Sequence, residues 1–192
     1  MSVFEAKSKA RDGARTRFAH RGHPQTEAAN ERIVYFAQQL LDQFKPKHCF
    51  MYLPQEHEPD LTPLLDWPEH SCTFASPLVV DKVAKEMCFV QLTTGQALEK
   101  GSFGVPVPVS PRIQVVPAEQ DIVFVPAMVL DIYGGRLGHG AGFYDRWFAL
   151  LSVKLRLVGV AFADCVTETP LPIEAHDVKM DIVLSETGFV WV

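Results

Sequence analysis

Apolar residues recur along the chain at two spacings, and each spacing predicts a different kind of element. In TEAANERIVYFAQQLLDQF, which covers residues 26–44, apolar side chains follow the i, i+3, i+4, i+7 pattern of an amphipathic helix. Pro46 follows closely and is expected to stop that helix. The first residues of the chain predict a second, weaker helix, which Gly13 is expected to interrupt because glycine disfavours helix interiors.

Six short runs predict strands, and two of them, HCFMYLP and LRLVGVAFA, predict buried strands. The candidate runs are HCFMYLP (48–54), SCTFAS (71–76), MCFVQLT (87–93), LRLVGVAFA (155–163), DIVLSE (181–186) and FVWV (189–192). The strongest candidate is DIVFVPAMVL, residues 121–130, which we predict to form one strand covered on both faces. Shorter helices are expected at 58–67 and 143–151. Residues 95–120, rich in glycine and proline, predict a long loop of the kind that is often functional.

Strands that alternate with helices predict an α/β fold, here a three-layer α/β/α sandwich with a mainly parallel central sheet. A length of 192 residues is typical of one domain, so we expect a single domain over residues 1–192. In such folds, ligands bind outside the carboxyl ends of the strands. The loops that follow the strands are therefore where candidate chemistry is sought.

Composition and charge exclude several classes of partner. Hydrophobic residues make up 47% and charged residues 21%, which is typical of a soluble globular protein. The net charge of -5 argues against nucleic acid, and no apolar run is long enough to suggest a membrane span. The first residues lack a secretory core, and the four dispersed cysteines predict reduced thiols in the cytoplasm without a zinc site. The net charge does not exclude binding of a small anionic ligand by a few local cations.

One stretch, GGRLGHGAGFYDRW, has glycines at alternate positions: Gly138, Gly140 and Gly142. Because glycine tolerates positive φ, successive backbone N–H groups there could point into one anion-binding concavity, reinforced by the N-terminus of the next helix. Arg136 and Arg146 could add charge-assisted hydrogen bonds to phosphate. The spacing is neither that of a Walker A loop nor that of a dinucleotide fingerprint. A plain strand–turn–helix connection therefore stays an open alternative.

A carboxylate follows the glycines at Asp145, where it would repel phosphate unless a cation lay between them. Mg²⁺ commonly bridges one or two carboxylates and substrate phosphates. A second source of carboxylates is LPIEAHDVKMD, with Glu174, Asp177 and Asp181. Taken singly, each of these residues is more often a turn or helix-capping residue than a metal ligand.

The ordered set of motifs is more specific than any one of them. RLGHGAGFYDR resembles the Arg-Leu-Gly-x-Gly-x-Gly-Tyr/Phe-Tyr-Asp-Arg signature of the 5-formyltetrahydrofolate cyclo-ligase family, also called methenyltetrahydrofolate synthetase. Four further segments are similar to family segments in the family's order: AKSKAR, GSFGVPVP, DIVFVPAMVLDIYGG and LPIEAHDVKMD. The resemblance spans nearly the whole chain.

This resemblance implies an enzyme with ATP as co-substrate and Mg²⁺ as cofactor. The implied reaction cyclises 5-formyltetrahydrofolate to 5,10-methenyltetrahydrofolate and releases ADP and phosphate, by way of phosphorylation of the formyl oxygen. Phosphoryl transfer mainly requires positioning and charge neutralisation, which a glycine loop, Mg²⁺ and cations supply without a nucleophilic side chain. The resemblance also implies small-molecule substrates only, and we expect a monomer.

Carried over position by position, the resemblance assigns four sets of residues. The implied catalytic residues are Arg136, Tyr144 and Asp145. The implied ATP-binding residues are Lys7, Arg11, Arg136, Leu137, Gly138, His139, Gly140, Ala141, Gly142, Phe143 and Tyr144. The implied folate-binding residues are Leu53, Glu58, Phe103, His139, Gly140, Ala141, Gly142 and Phe143. The implied Mg²⁺ ligands are Asp145 and Asp177. Glu58 is expected to hydrogen-bond the pterin. Val107 departs from the family pattern, because many relatives have Glu or Gln there.

Three other functions stay open. The main alternative is a non-catalytic folate or nucleotide binder of the same fold, although the presence of both Asp145 and Asp177 favours an enzyme. A second is phosphoryl transfer to a different amide-like substrate. The third is an α/β interaction module in which the glycines are purely structural.

Overall fold

A seven-stranded sheet lies at the centre of the computed structural model, which describes residues 2–20, 22–69 and 71–192. In chain order the strands are β1 (His48–Phe50), β2 (Thr73–Asp81), β3 (Glu86–Gln91), β4 (Leu98–Lys100), β5 (Pro106–Pro108), β6 (Ile122–Pro126), β7 (Val129–Asp131), β8 (Arg136–Leu137), β9 (Arg156–Val160), β10 (Val166–Thr167), β11 (Ile182–Ser185) and β12 (Gly188–Trp191). The α-helices are α1 (Val3–His20), α2 (His23–Phe44) and α3 (Phe143–Ala149). Short 3₁₀ helices cover Thr62–Asp66, Ser102–Gly104 and Ala163–Cys165.

The strand order of the central sheet is β12-β11-β9-β6-β1-β2-β3. The inner strands β11, β9, β6, β1 and β2 run parallel to their neighbours, whereas β12 and β3 close the two edges as antiparallel strands. The mainly parallel sheet predicted from the sequence is confirmed. Antiparallel edges arise because each edge strand follows its neighbour through a short turn.

Helices cover both faces of the sheet. Along β6, Ile122 and Phe124 pack into one buried cluster with α2, while Val123 and Val125 pack into another with α1 and α3. Neighbouring residues of a strand point to opposite faces, so a strand covered on both faces is apolar at every position. The three-layer arrangement follows from this pattern.

The apolar run at 121–130 is not one strand, so that prediction is wrong. The chain leaves the central sheet after Pro126, and β7 then pairs with β8 and β10 in a separate three-stranded sheet. Proline lacks the N–H that would continue a ladder, which favours a break at this point. Both halves are buried, so apolarity alone does not reveal the change of sheet.

Two further expectations differ from the structure. Helix α1 continues through Gly13, because Ala14 and Phe18 on its buried face anchor it to the core. The stretch 95–120 is not all loop: β4 and β5 form a two-stranded antiparallel ribbon. This ribbon leans over the carboxyl edge of the sheet through a turn at 102–104.

The order of connections creates a crevice between β1 and β6. From β1 the chain moves to β2 and β3 on one side, and from β6 it moves to β9 and β11 on the other. Neighbouring strands whose connections diverge leave an opening at their carboxyl ends, the usual ligand site of such sheets. Among the described residues, we find no helix with the length and apolarity needed to cross a membrane.

Candidate active site

A cavity of about 870 Å³ opens at the carboxyl ends of β1 and β6. Its walls come from α1, the segment after β1, the β4–β5 ribbon, the glycine stretch and the loop at 174–177. The residues that the sequence singled out all line it: Lys7, Arg11, Leu53, Glu58, Phe103, Arg136, Leu137, Gly138, His139, Gly140, Ala141, Gly142, Phe143, Tyr144, Asp145 and Asp177. Residues from five distant parts of the chain thus share one cavity, while their roles in binding stay predictions.

The three glycines serve two different purposes. Gly140 and Gly142 have φ of +94° and +75°, which side chains of L-residues rarely tolerate. Gly138 has no positive φ, so the expectation for that position is wrong. A Cβ there would lie 2.8 Å from Nη1 of Arg136, so glycine leaves room for the guanidinium. Helix α3, which follows, has only 7 residues and contributes a small dipole.

Arg136 lies in the wall of the cavity with its side chain largely buried. Its Nη2 is 3.2 Å from both carboxylate oxygens of Asp145, and its Nη1 donates to the carbonyl of Pro126 at 3.3 Å. The guanidinium also sits 5.7 Å from the centre of the Tyr144 ring. Among the described residues, three buried side-chain atoms have no hydrogen-bond partner: Arg136 Nε and the Tyr144 hydroxyl, which belong to residues that line this cavity, and Ser76 Oγ, which does not. Buried polar groups are normally paired, so unpaired ones in a cavity wall indicate a place for ligand atoms.

Lys7 reaches from α1 to the loop at 174–177. Its Nζ donates to Glu174 at 2.8 Å and to Asp177 at 2.5 Å. Burial lowers the pKa of Lys7, but the hydrogen bonds to Asp177 and Glu174 outweigh it and hold the pKa above its ordinary value. For Asp177, burial raises the pKa, and the hydrogen bond from Lys7 more than compensates, so the pKa lies below its ordinary value. Both groups are therefore charged at neutral pH.

The two predicted metal ligands both line the cavity, on neighbouring segments. Oδ1 of Asp145 is 3.4 Å from the backbone nitrogen of Val178, the residue that follows Asp177. Glu174, His176 and Asp177 each offer a ligand atom within 4.8 Å of the others. The carboxylate oxygens of Asp145, Glu174 and Asp177 suit a hard divalent cation such as Mg²⁺, and Arg136 and Lys7 offset part of their negative charge. The residues present fit the metal that the resemblance implies.

Asp181, the last carboxylate of the LPIEAHDVKMD motif, contacts the backbone of a neighbouring strand. Its Oδ2 accepts the backbone N–H of Leu157 at 2.8 Å, next to the start of β9. The motif therefore divides into a part that reaches the cavity and a part that ties β11 to β9. Glu174 belongs to the first part and was not among the predicted metal ligands, although the motif itself contains it.

Glu58 lies on the opposite wall, after β1. Its side chain is only 9% exposed, and its Oε1 is 3.2 Å from Nε2 of His139. Oε2 accepts the backbone N–H of Gln55 at 3.0 Å. A mostly buried carboxylate with one oxygen beside a half-exposed histidine can accept hydrogen bonds from a polar ligand edge.

Phe103 stands at the mouth of the cavity in the turn of the ribbon. It is 61% exposed and has φ of +58°, a conformation that costs energy for a bulky residue. Its ring meets Phe143 edge-on at 5.6 Å, and Nζ of Lys82 lies 5.7 Å from its centre. Val107, which departs from the family pattern, is buried in the wall, so that position presents an apolar surface.

Sequence reasoning misjudged or missed some of the lining. Arg146, considered as a phosphate contact, lines the main cavity and also borders an adjoining cavity of about 160 Å³ with Lys85 and Glu86, and its role stays a prediction. Tyr52 and Pro126 line the main cavity and were not predicted. Their position at the ends of β1 and β6 is a signal that could have identified them, because the ends of central strands border such crevices.

Comparisons with known proteins agree with this architecture. The sequence model of the 5-formyltetrahydrofolate cyclo-ligase family matches residues 4–186. A protein named 5-formyltetrahydrofolate cyclo-ligase from Haemophilus influenzae is 27% identical over 164 residues, covering 83% of this chain and 87% of that one. The protein of that name from Saccharomyces cerevisiae is 38% identical over 76 residues, 36% of each chain. The alignments with the yeast and Mycolicibacterium smegmatis relatives thus span about a third of their length, 36% and 34%.

A solved structure gives the same result for the fold. The NMR structure of Aquifex aeolicus 5,10-methenyltetrahydrofolate synthetase superposes with a TM-score of 0.79 at 28% sequence identity. That superposition covers 100% of this chain and 93% of the other.

Proposed function

The chain belongs to the 5-formyltetrahydrofolate cyclo-ligase family, and from this premise we propose that it cyclises 5-formyltetrahydrofolate to 5,10-methenyltetrahydrofolate with ATP. ADP and phosphate are the other products. The observation that carries the proposal is the single cavity in which Lys7, Arg11 and the glycine loop meet Asp145 and Glu58. Such a cavity offers phosphate-binding, cation-binding and polar ligand-binding groups together.

ATP solves a specific chemical problem in this reaction. The N5-formyl oxygen is a poor leaving group, so N10 cannot displace it directly. Transfer of the γ-phosphoryl group to that oxygen breaks the bond to ADP and forms an activated imidate phosphate. N10 then attacks the formyl carbon, its proton is lost, and the C–O bond breaks to release phosphate. Each step needs positioning and charge neutralisation rather than a nucleophilic side chain.

We assign the phosphate end of the cavity to α1 and the glycine loop. Nε of Arg11 donates to the carbonyl of Gly138 at 2.8 Å, which fixes the helix against the loop and leaves the rest of the guanidinium near Gly140. Lys7 adds a buried ammonium one helical turn away. The backbone at Gly140 and Gly142 has the positive φ found in anion-binding loops.

Asp145 and Asp177, with Glu174 beside them, would hold Mg²⁺. When bound, Mg²⁺ neutralises charge on the transferred phosphoryl group and orients it. Arg136 and Lys7 now pair with these carboxylates, and both cations are within the same wall as the glycine loop. They are therefore placed to turn towards phosphate oxygens as the charge of the site changes.

The folate end lies between Glu58 and Phe103. Glu58 would accept hydrogen bonds from the N–H groups of the pterin, and the exposed ring of Phe103 would pack on the flat part of the substrate. The Tyr144 hydroxyl is a further donor, because burial raises its pKa and keeps it protonated. Its unpaired position supports a hydrogen bond to the formyl oxygen or to the transferred phosphoryl group.

A turnover assay with the purified protein tests the proposal. Ring closure extends conjugation across N5, the bridging carbon and N10, so absorbance should move to longer wavelength only when ATP and Mg²⁺ are both present. One ADP should appear for each folate closed. A non-catalytic binder would instead show ligand-dependent thermal stabilisation without a spectral change, and that result would replace the proposal. A transferase for another substrate would bind ATP but not respond to this folate.

We also propose that the enzyme acts as a monomer on small molecules. The residues described above that line the cavity come from five segments of this one chain. Sedimentation at assay concentration should give the mass of one chain, and a stable dimer would contradict this part of the proposal.

A further inference from the structure

Two aromatic residues line the cavity and are nevertheless mostly exposed. Phe103, at 61%, has ring contacts with Phe143 and Lys82 that explain its position. Phe4, at 78%, lines the cavity from α1 and makes no ring or cation contact among the residues that the structure describes. Exposed apolar surface that borders a cavity can mark a place where a ligand packs.

The first turn of α1 holds Phe4 in place. The backbone N–H of Ser2 donates to Glu5 Oε2 at 2.7 Å, and the backbone N–H of Glu5 donates to Ser2 Oγ at 3.2 Å. This reciprocal pair is a capping box, which fixes the helix start and limits fraying. Phe4 lies inside that capped turn, so its ring is presented from an ordered backbone.

Phe4 shares one face of α1 with Lys7 and Arg11. Spacings of three, four and seven residues bring side chains to the same side of a helix. With a rise of about 1.5 Å per residue, Phe4 lies about 4–5 Å beyond Lys7 and about 10 Å beyond Arg11 along the axis. Arg11 touches the glycine loop at Gly138, and Lys7 touches Asp177. The helix face therefore runs from the glycine loop, past the carboxylates, to an aromatic ring.

A second ring lies at the same end of the cavity. His176 is 74% exposed in its side chain, and its Nε2 is 3.7 Å from Asp177 Oδ1. Because Lys7 and Asp177 are joined by a 2.5 Å contact, both His176 and Phe4 border this ion pair. The end of the cavity away from Glu58 thus has two ring side chains, those of Phe4 and His176.

We propose that Phe4 is the platform on which the purine base of the nucleotide co-substrate stacks, with the phosphates lying over Lys7 and Arg11. The inference rests on the proposed function, in which ATP is that co-substrate. It deepens that function by giving the base a defined contact. Stacking on an aromatic face accepts any base, so Phe4 adds affinity for purine nucleotides without selecting adenine over guanine.

Calorimetric titration with two ligands tests this role. ATP and inorganic tripolyphosphate, each with Mg²⁺, are titrated into the full chain and into Phe4→Ala, Phe4→Leu and Phe4→Trp. Val3→Ala is the matched control, because Val3 is an exposed apolar neighbour on the same helical turn that does not line the cavity. Thermal unfolding of each variant checks that the fold is intact.

Phe4→Ala should weaken ATP binding about five- to tenfold, the low end of base–aromatic stacking, and leave tripolyphosphate binding unchanged. Phe4→Leu should lose part of the affinity, and Phe4→Trp should retain it. Val3→Ala should change neither ligand, and GTP should follow ATP in every variant.

Other outcomes would contradict either the stacking role of Phe4 or the proposed function. Equal weakening of ATP and tripolyphosphate by Phe4→Ala would mean that the ring only supports α1, and the stacking role would be wrong. Unchanged ATP affinity in Phe4→Ala, in a chain that binds ATP, would also overturn this inference alone. Absence of ATP binding by the unsubstituted chain would overturn the proposed function, and the inference with it.

Discussion

The central sheet has an amino edge, where its parallel strands begin, and a carboxyl edge, where they end. Carboxylates at these two edges have different hydrogen-bond partners. At the amino edge, before β6, Asp121 is fully buried and accepts the backbone N–H groups of His48 and Ala118, each at 2.8 Å, and pairs with Nδ1 of His48 at 2.7 Å. At the carboxyl edge, Asp145 and Asp177 pair with the side chains of Arg136 and Lys7, and Asp177 also accepts the backbone N–H of Glu174 at 2.7 Å. Backbone donors cannot leave without unfolding, whereas cationic side chains can turn to another anion.

The same contrast applies to a carboxylate just before the glycine motif. Asp131, at the end of β7, accepts the backbone N–H groups of Tyr133, Gly135 and Leu171 at 2.9, 2.8 and 2.6 Å. It therefore ties the turn before the glycines to the loop that leads to Asp177. Asp131 positions the two halves of the site without reaching its cavity. Asp121 and Asp131 each accept at least two backbone N–H groups and do not line the cavity, whereas Asp145 and Asp177 line it and pair with cationic side chains.

The largest effect on turnover is expected for Asp145→Asn, which tests the proposed role of the carboxylates at the carboxyl edge. The substitution keeps the shape of the side chain but removes its charge, so Arg136 loses its partner and the Mg²⁺ site loses a ligand. We expect turnover to fall by about a thousandfold, about 4 kcal/mol in the activation barrier, with the fold retained. Initial rates at saturating substrates measure the loss.

Asp42→Asn is the control for that measurement, because Asp42 is an exposed carboxylate on α2, across the sheet from the cavity. It should leave the rate unchanged. A folded Asp145→Asn protein that turns over as fast as the unsubstituted chain would remove Asp145 from the site and break the comparison at its carboxyl edge.

The second largest effect is expected at the opposite edge. Asp121→Ala leaves two backbone N–H groups and His48 Nδ1 without their buried partner. We expect the free energy of unfolding to fall by about 3 kcal/mol, while turnover per folded molecule stays the same. Urea denaturation and an active-site titration separate the two quantities. Loss of turnover with unchanged stability would show that the amino edge is not merely structural.

The sequence predicted what depends on local pattern. Continuous apolar runs indicated strands covered on both faces, and the glycine motif with Asp145 named residues that line one cavity. The pairing of Lys7 with Glu174, 167 residues apart, has no local signal. The break after Pro126 was also hidden, because both segments are equally buried. The sequence also could not distinguish the roles of Asp121 and Asp145, because the two carboxylates differ in the groups that contact them in the folded chain.

The third effect concerns the folate wall and is of intermediate size. Glu58→Gln keeps an acceptor for the N–H of Gln55 but removes the charge that would face the pterin. A charge-assisted hydrogen bond contributes about 1.5–3 kcal/mol, so folate binding should weaken by about thirtyfold while ATP binding stays nearly intact. Calorimetric titration of each ligand measures this difference.

His139→Ala, measured in the same titration, distinguishes the contribution of the Glu58 charge to folate binding from the contribution of the neighbouring imidazole. His139 is half exposed and contacts Glu58 at 3.2 Å, so its loss should weaken folate binding less than Glu58→Gln does. Equal losses for folate and ATP in Glu58→Gln would indicate a structural role, and Glu58 would then belong with Asp121 and Asp131.

The smallest effect compares two glycines in the same backbone conformation. Gly142 has φ of +75° in the cavity wall, and Gly95 has φ of +69° in the turn before β4; a Cβ at either would meet no atom within 4 Å. Alanine at either position should therefore cost about 1 kcal/mol through backbone strain alone, and should lower the melting temperature by about 2–4 °C. The two variants should differ in binding, because only Gly142 places backbone N–H groups beside the proposed phosphates. Gly142→Ala should weaken ATP binding and Gly95→Ala should not. If both variants bind ATP like the unsubstituted chain after equal loss of stability, the positive φ at Gly142 serves the turn into α3, and the anion-binding role of the loop must lie elsewhere.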